Sequence, residues 1–331
     1  MEKATDRLAK MTVEEKIGQL IITAVDSTKL NDMNRALIER HRIGGVVFSP
    51  SNIKSEEQTI EFIKSLKQLS ALGSEIPMFF ALDEVGGQHS NFPESMTKTP
   101  SPQTIGEIGD VQRAFDSGKQ IATNMRSLGF DLELAPVANI KFGEIHDELD
   151  HAIFAPEPLQ TADMVKRFLY GLREAKVISA AKYFPVSTGT EELHISEDIE
   201  RMKARELLPF KALADEKVEM IIVSHSFVDS LDKEYPVSLS EVAKKELLEA
   251  IGYEGIVLSD SITKPVIRER YGAEKAAVTA LRSGCDMILI GDFKQTPAIA
   301  KELVQAVKEE QISIEKIDKA VLKVLMMKEK I

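Results

Sequence analysis

The 331-residue sequence lacks tryptophan, contains one cysteine, and has few aromatic residues, which make up 6% of the chain. One cysteine excludes an intramolecular disulfide framework, and the setting of Cys285 in RSGCDMILI predicts a small buried residue rather than a reactive thiol. No apolar run approaches the ~18 residues that a membrane-spanning helix needs, and the opening MEKATDRLAKMT has no apolar signal-peptide stretch. We therefore expect a soluble cytoplasmic protein, or an exported one if a leader precedes this chain.

Positive charge is also scarce. Lysine and arginine number 42 against 53 aspartates and glutamates, which gives a net charge of −11, and the acidic residues are scattered along the chain. A nucleic-acid partner is not expected, because phosphate binding needs a basic face. Hydrophobic residues make up 43% of the chain and charged residues 29%, so there is enough apolar material for a large core. We expect a globular monomer or a weak homo-oligomer.

Short apolar runs rich in β-branched residues recur along the chain and predict its strands. Each run is nearly continuous rather than alternating, which is typical of parallel strands that are buried on both faces. The eight runs are IGQLIITAV (17–25), GGVVFS (44–49), PMFFALD (77–83), LELAPVANI (132–140), ISAAKYFP (178–185), EMIIVSHSF (219–227), GIVLSD (255–260) and DMILIG (286–291).

Stretches of helical period follow these runs, for example at 55–72, 111–129, 161–176 and 277–284, and a last helix is predicted over 309–330. Gly129 and Gly284 stand where helix terminators are expected. Eight strand–helix units predict an α/β fold of the (β/α)8 TIM barrel type, regular or irregular, in one domain over residues 1–331. A doubly wound open sheet is the alternative, but no glycine-rich nucleotide motif supports it.

Active sites of such barrels lie at the C-terminal ends of the strands, so polar residues there are the candidates. An ionisable residue at the end of an apolar strand is costly unless it is paired or used. These strand-end residues are Asp83, Glu84, Asn139, Lys182, His225, Asp260 and Asp292.

Asp260, in VLSDSI, is the sharpest of these candidates. A carboxylate at a strand end can act as a nucleophile or as a general base. An equally weighted alternative is a helix N-cap for a segment that starts near Ile262.

The segment after the fifth predicted strand, AKYFPVSTGTEELHISED, offers a second group of candidates. Glu192 and His194 lie two residues apart, so the carboxylate can orient the imidazole and raise its basicity for proton transfer. The alternative is a solvated polar loop without a function. The six histidines lack metal-ligand spacing, and His146 and His151 lie in an acidic loop, so we assign no metal and no cofactor.

Several segments together resemble the barrel domain of family three glycoside hydrolases, in order and over nearly the whole chain. The resemblance is greatest to the single-domain bacterial β-N-acetylglucosaminidases that trim peptidoglycan fragments. The segments are MTVEEKIGQL, RIGGVVFSPSNIKSEEQ, ALDEVGG, LGFDLELAPVANI, AKYFP, PVSLS and GYEGIVLSD.

The resemblance implies a role for each matching residue. Asp260 corresponds to the family nucleophile, and His194 with Glu192 corresponds to the acid/base pair. Asp83 and Lys182 match residues that hold substrate hydroxyls. The implied chemistry is retaining hydrolysis of a glycosidic bond in a small carbohydrate. We add three neighbouring polar residues to the predicted substrate-binding set, namely Tyr183, Asn139 and His225.

The sequence also departs from the family motifs. The family's D-Q-E-G-G-R-V-x-R reads DEVGGQHSN at 83–91, K-H-F-P-G-H-G reads KYFPVST at 182–188, and D-S-H reads ELH at 192–194. Strand four ends at Asn139 instead of Asp, HAIF at 151–154 replaces the R-S-F motif, and Ser261 replaces the Asp after the nucleophile. These changes remove several arginine contacts, each worth roughly 1.5–3 kcal/mol of binding.

Three hypotheses follow from this mixture of kept and lost residues. The first is a retaining exo-glycosidase of the β-N-acetylhexosaminidase type with altered specificity. The second is a catalytically inactive homologue that binds a glycan or a protein. The third is that Asp83, Lys182 and Asp260 form an ion-pair network that only stabilises the barrel mouth. Buried ion pairs often stabilise a protein less than apolar packing does, which weakens this third hypothesis.

Overall fold

A computed structural model describes residues 2–141, 149–187 and 192–331 of the protein. Its central feature is a sheet of eight parallel strands in the order β10-β1-β2-β3-β4-β5-β7-β9. All eight lie inside the apolar runs predicted from the sequence. Together with a short separate pair, β6 and β8, the strands are β1 (Ile21–Ala24), β2 (Gly45–Phe48), β3 (Phe79–Leu82), β4 (Leu132–Glu133), β5 (Ile178–Phe184), β6 (His194–Ile195), β7 (Met220–Val223), β8 (Phe227–Val228), β9 (Ile256–Ser259) and β10 (Ile288–Ile290).

The two edges of the eight-stranded sheet meet and form a barrel. A parallel bridge joins Leu258 to Met287, next to β10. The amide of Ser259 donates to the Met287 carbonyl at 3.0 Å, and the amide of Met287 donates to the Val257 carbonyl at 3.1 Å. This closure confirms the predicted (β/α)8 barrel and makes the open doubly wound sheet wrong.

Helices follow the barrel strands as the sequence predicts. In the described part of the chain they are α1 (Glu2–Leu8), α2 (Val13–Gln19), α3 (Asp32–His41), α4 (Glu56–Gly73), α5 (Pro102–Ile108), α6 (Val111–Leu128), α7 (Pro158–Glu174), α8 (Ile199–Ala204), α9 (Leu208–Asp215), α10 (Glu241–Ile251), α11 (Pro265–Tyr271), α12 (Ala273–Arg282), α13 (Thr296–Lys308) and α14 (Ile314–Lys328). Both predicted terminator glycines, Gly129 and Gly284, have φ of 102°. Only glycine adopts that angle readily, which ends α6 and α12 at these places.

The core fills the barrel and the layer between the sheet and the helices. Every residue of β3, β7 and β9 is buried, as expected for strands covered on both faces. Cys285 is 4% exposed, and burial raises the pKa of its thiol, which confirms a buried residue. Across the described ranges, no helix combines the length and apolar character needed to cross a bilayer.

Three predicted boundaries are wrong, each for a local reason. Residues 17–19 belong to α2 rather than to the first strand, because Thr12 and Glu15 form a capping box that starts this helix. The fourth strand ends at Glu133, and the chain beyond it bonds to β5 partly through the Asn139 side chain. The last predicted helix is shorter, because Ser313 caps a separate helix, α14.

The pair β6 and β8 was not predicted. It forms a two-stranded parallel sheet outside the barrel, with His194 opposite Phe227 and Ile195 opposite Val228. The pair joins the segment after β5 to the segment after β7, so it fixes where His194 lies.

Candidate active site

Asp260 follows the last residue of β9 and lies at the C-terminal mouth of the barrel, as predicted. Its amide donates to the Val223 carbonyl at 2.9 Å, which ties this position to β7. One carboxylate oxygen, Oδ1, accepts the amide of Ser261 at 2.6 Å, and the other, Oδ2, accepts the ammonium of Lys264 at 2.6 Å. Asp260 is 4% exposed, so this hydrogen bonding satisfies a buried charge.

Asp260 is ionised in this environment. Burial acts to raise its pKa, but the charges of Lys264 and His225 and the hydrogen bonds from Lys264 and Ser261 outweigh burial and lower the pKa. The N-cap alternative is wrong: the next helix, α11, begins at Pro265, and the Asp260 carboxylate bonds Lys264 and Ser261.

Asp83 and Lys182 form an ion pair across the mouth, with Nζ 2.5 Å from Oδ2. Asp83 follows β3, and Lys182 lies inside β5. The two partners differ in exposure, because the Lys182 side chain is 3% exposed and the Asp83 side chain is 42% exposed. Burial acts to lower the pKa of Lys182, but the charge of Asp83, the hydrogen bond to it and the other nearby groups together outweigh burial and raise the pKa. The ammonium therefore stays charged.

The Tyr183 ring connects this ion pair to Asp260. The ammonium of Lys182 and that of Lys264 each lie 5.2 Å from the ring centroid. Both contacts are within the range of cation–π attraction. The predicted residues Asp83, Lys182, Tyr183 and Asp260 therefore form one group at the mouth.

Two other predicted substrate-binding residues use their polar atoms within the protein. The Asn139 amide donates to the Tyr183 carbonyl, and its Oδ1 accepts the Tyr183 amide, both at 2.9 Å. The ring nitrogens of His225 bond the Ser238 hydroxyl at 2.7 Å and the Ser261 carbonyl at 3.0 Å. Burial lowers the pKa of His225. In this arrangement both side chains position the mouth residues, and their contact with substrate stays a prediction.

His194 belongs to a second cluster, on the β6–β8 pair. Its Nε2 lies 3.2 Å from Glu192 Oε1, the partner predicted from the sequence. Its Nδ1 lies nearer, 2.7 Å, to Asp229 Oδ1, a partner that the sequence did not indicate. The hydrogen bond to Asp229 is the first cause that raises the pKa of His194. With a carboxylate at each nitrogen, the imidazolium form is favoured, because both nitrogens then donate.

Aromatic and cationic side chains hold this histidine cluster together. The His194 ring stacks on Phe227 with centroids 4.5 Å apart and planes 8° from parallel. Arg270 donates to Glu192 at 2.7 Å, and its guanidinium lies 5.1 Å from the Phe227 centroid. The Glu192 and His194 side chains are still 40% and 44% exposed, so the alternative of a solvated polar loop without a function stays open. Residues 188–191 of the same loop, including the predicted motif position Thr188, lie outside the described residues.

Two fully buried carboxyl groups, Glu84 and Glu133, lie near enough to Asp83 to interact with its charge. Burial raises the pKa of Glu84 to about 7 and that of Glu133 well above its ordinary value. The amides of Gly86 and Asn91 each donate to Glu84 at 2.6 Å, so Glu84 shapes the loop after β3. The amide of Glu84 donates to Glu133 Oε1 at 2.8 Å. Glu133 gave no sequence signal, since it lies within an apolar run.

The two stretches that depart most from the family motifs meet in space. His89, in the loop after β3, stacks on His151 with ring centroids 3.8 Å apart. His146, which the sequence placed in the same acidic loop as His151, lies outside the described residues. His89 and His151, each in a stretch that departs from a family motif, therefore contact each other.

A closed parallel barrel with paired charges at the C-terminal ends of its strands defines a (β/α)8-barrel enzyme. The glycosyl hydrolase family 3 N terminal domain matches residues 12–327 of the sequence, so the chain belongs to this family.

Named relatives agree with this family assignment. Beta-hexosaminidase LpqI of Mycobacterium tuberculosis (strain ATCC 25618 / H37Rv) is 25% identical over 333 residues, which cover 97% of this chain and 84% of that protein. A Beta-hexosaminidase of Idiomarina loihiensis is 27% identical over 285 residues, with 83% of this chain and 84% of that protein covered.

Solved structures share the fold. A glycoside hydrolase family 3 β-N-acetylglucosaminidase from Paenibacillus sp. str. FPU-7 superposes with a TM-score of 0.92 at 24% identity over 97% of this chain. This chain spans 62% of the length of that one. The structure of M tuberculosis LpqI gives a TM-score of 0.86 at 23% identity, with 98% of this chain and 96% of that chain covered.

Proposed function

We propose that the protein is a retaining exo-glycosidase of the β-N-acetylhexosaminidase type, with Asp260 as nucleophile and His194 as acid/base. The observation that carries the proposal is Asp260, a buried carboxylate that is kept ionised at the end of a barrel strand. The family assignment and the names of the relatives support the class of reaction. Their names supply the hexosamine, and we propose peptidoglycan fragments as its source.

The reaction proceeds in two balanced steps. In the first, an Asp260 oxygen forms a bond to the anomeric carbon while the bond to the leaving oxygen breaks. The electron pair of that bond goes to the leaving oxygen, which takes the proton of His194. In the second, water attacks the same carbon, gives its proton to His194, and the bond to Asp260 breaks with return of its carboxylate.

The protonation states in the structure suit the first step. Asp260 has a lowered pKa and is an anion, and His194 has a raised pKa and carries the proton to be donated. Both nitrogens of His194 lie against carboxylates, so His194 turns away from one of them when it protonates the leaving oxygen. Such loop motion is common in enzymes of this kind of fold.

The remaining roles belong to the ion pair and its neighbours. We propose that Asp83 and Lys182 bind substrate hydroxyls, since charged groups at fixed positions give strong hydrogen bonds. Tyr183 then provides a flat face for the sugar beside the two ammonium groups. We also propose that residues 1–331 act as one domain, as a monomer or weak homo-oligomer, on a small carbohydrate rather than a nucleic acid. Its cytoplasmic or exported location stays a prediction.

The test compares wild type with Asp260→Asn on aryl β-N-acetylglucosaminide and aryl β-glucoside. We expect the substitution to lower kcat/KM at least about a thousandfold, or about 4 kcal/mol. Asp215→Asn is the matched control, because Asp215 also pairs with a lysine four residues away, Lys211, but lies on the outside of α9. Wild type that turns over no aryl glycoside faster than Asp260→Asn would overturn the proposal.

A covalent labelling experiment distinguishes a glycosidase from a homologue that only binds a glycan. We expect a 5-fluoro glycosyl fluoride to add one sugar mass to the protein and peptide mapping to place it on Asp260. Binding of N-acetylglucosamine without label and without turnover would favour the inactive glycan-binding homologue instead.

A further inference from the structure

His194 lies between two carboxylates, and backbone pairing holds one of them in place. The amide of Asp229 donates to the Ile195 carbonyl at 2.9 Å, and the amide of Phe227 donates to the Leu193 carbonyl at 2.8 Å. These hydrogen bonds belong to the pairing of β6 with β8, which leaves Asp229 Oδ1 2.7 Å from His194 Nδ1. Asp229 is therefore the partner of His194 that the fold itself positions.

The second carboxylate, Glu192, contacts two cationic side chains through one oxygen. Its Oε1 lies 3.2 Å from His194 Nε2 and accepts a hydrogen bond from Arg270 Nη1 at 2.7 Å. Arg270 is the stronger competitor for this oxygen, because a guanidinium stays charged at every relevant pH whereas an imidazole titrates. Glu192 can therefore part from His194 and still keep a positively charged partner.

Arg270 is held in place by aromatic rings. Its guanidinium lies 5.1 Å from the centroid of Phe227 and 5.4 Å from that of Tyr271, within the range of cation–π attraction. The Phe227 ring also stacks on His194. Arg270 lies in α11 and Phe227 in β8, so this contact connects a helix of the barrel to the pair that carries His194.

We propose that Arg270 is a positioning residue that holds Glu192, so that Asp229 alone orients His194 and Nε2 is the nitrogen that gives the proton. This inference rests on the proposed function and names the proton path of the same site. In the first step the bond between Nε2 and its hydrogen breaks, the proton goes to the leaving oxygen, and Glu192 stays with Arg270. In the second step water returns a proton to Nε2. The hydrogen on Nδ1 stays bonded to Asp229 in both steps.

The other titratable groups beside this cluster keep one charge state through the neutral pH range. Burial raises the pKa of Tyr271 to about 12, so its phenol is neutral. Burial acts to raise the pKa of Asp232, but hydrogen bonds from Ser240 and from the amides of Tyr235 and Glu234 outweigh it and lower the pKa. A change near neutral pH can therefore be assigned to the histidine.

The first test compares the two carboxylates on two leaving groups. In a phenyl β-N-acetylglucosaminide the leaving oxygen needs a proton, whereas in the 2,4-dinitrophenyl glycoside it does not. We expect Asp229→Ala to lower kcat/KM for the phenyl glycoside at least about tenfold more than Glu192→Ala does, and both to have similar effects on the dinitrophenyl glycoside. The reverse order would make Glu192 the orienting partner and would overturn the inference. If circular dichroism shows that Asp229→Ala is unfolded, Asp229→Asn and Glu192→Gln are compared instead.

The second test measures the pKa of His194 by heteronuclear NMR of the whole protein, with His194→Gln to assign its signals. Arg270→Met should raise this pKa by roughly 0.2–0.7 pH unit, because the Glu192 charge then acts on His194 alone and the groups are exposed to water. The basic limb of kcat/KM for the phenyl glycoside should move up with it. Arg270→Lys keeps the charge and should return part of the wild-type value. The matched control is Arg268→Met, which removes an exposed arginine of the same helix and should leave the pKa unchanged.

Combining variants shows whether Arg270 acts through Glu192. In the Glu192→Gln background, Arg270→Met should shift the pKa of His194 less than it does in wild type. An equal shift in both backgrounds would mean that Arg270 acts on His194 directly, and it would overturn the inference.

The NMR and kinetic results together distinguish the inference from the proposed function. Turnover in wild type with a His194 pKa that Arg270→Met leaves unchanged or lowers overturns the inference alone. A raised pKa that depends on Glu192, without turnover in wild type, supports the arrangement around His194 and overturns the proposed function. Neither turnover nor a shift overturns both and favours a polar loop without a function.

Discussion

The ion pair of Asp83 and Lys182 predicts unequal effects when its two members are replaced. The Lys182 side chain is 3% exposed and the Asp83 side chain is 42% exposed. Asp83→Asn leaves a buried ammonium without a carboxylate. Lys182→Met leaves a carboxylate that water already reaches, and it fills the same space with an apolar side chain. Asp83→Asn should therefore destabilise the protein more than Lys182→Met.

The magnitude follows from burial. Replacing one member of a buried ion pair lowers the free energy of unfolding by roughly 3–5 kcal/mol. For Asp83→Asn we take about 3 kcal/mol, because the new amide oxygen still accepts one hydrogen bond from Lys182. Lys182→Met should cost at most about 1 kcal/mol, as for pairs with an exposed member. An unfolding entropy of about 2.1 cal/mol/K per residue gives about 0.7 kcal/mol/K for this chain, so Asp83→Asn should lower Tm by about 4 °C.

Urea unfolding at pH 7, followed by circular dichroism, measures these free energies, and Lys211→Met in the exposed pair with Asp215 is the control. The double variant Asp83→Asn, Lys182→Met should be more stable than Asp83→Asn alone, because it removes the buried ammonium that Asp83→Asn leaves unpaired. Equal costs for the two single variants, or a double variant as unstable as their sum, would refute this reasoning. A double variant that is less stable than wild type but still binds and turns over sugar would support the stabilising network hypothesis instead.

Two further predictions concern pH. Asp229 raises the pKa of His194 more than Glu192 does. Asp229→Asn should therefore move the basic limb of the pH profile of kcat/KM to lower pH, and by more than the control Glu192→Gln. A basic limb that does not move would contradict the role of His194 as acid. Burial lowers the pKa of Lys328 to about 7, so the unfolded chain binds one more proton between pH 7 and about 10. Between pH 7 and about 10, the free energy of unfolding of wild type should therefore rise relative to that of Lys328→Met, by up to about 1.4 kcal/mol per pH unit. Parallel pH profiles of wild type and Lys328→Met would contradict a lowered pKa of Lys328.

The sequence predicted the barrel because its signals are local. A buried parallel strand needs a continuous apolar run, and a helix end needs a residue such as Gly129 at positive φ. Position at a strand end was enough to select Asp83, Lys182 and Asp260, since all strands of a parallel barrel end at one mouth. Boundaries at α2 and α14 were missed where a capping residue outweighed the hydrophobic pattern.

The partners of the site residues could not be predicted in the same way. Lys264 lies four residues after Asp260, but the segment between them is not helical, so that spacing carries no helical signal. Asp229 reaches His194 only because β6 and β8 pair across a gap of more than thirty residues. Asn139 and His225 lie in the segments that follow β4 and β7, and the hydrogen bonds of their side chains go to the protein itself.

The sequence by itself determined the order of strands and helices, the barrel and the mouth residues, because hydrophobic period and strand-end polarity are properties of neighbouring residues. Only the tertiary structure decided which charge faces which. That choice sets whether Asp260 is ionised and how strongly His194 holds its proton. The physical reason is that Coulomb and hydrogen-bond energies depend on distance and burial, which the fold creates between residues far apart in the chain.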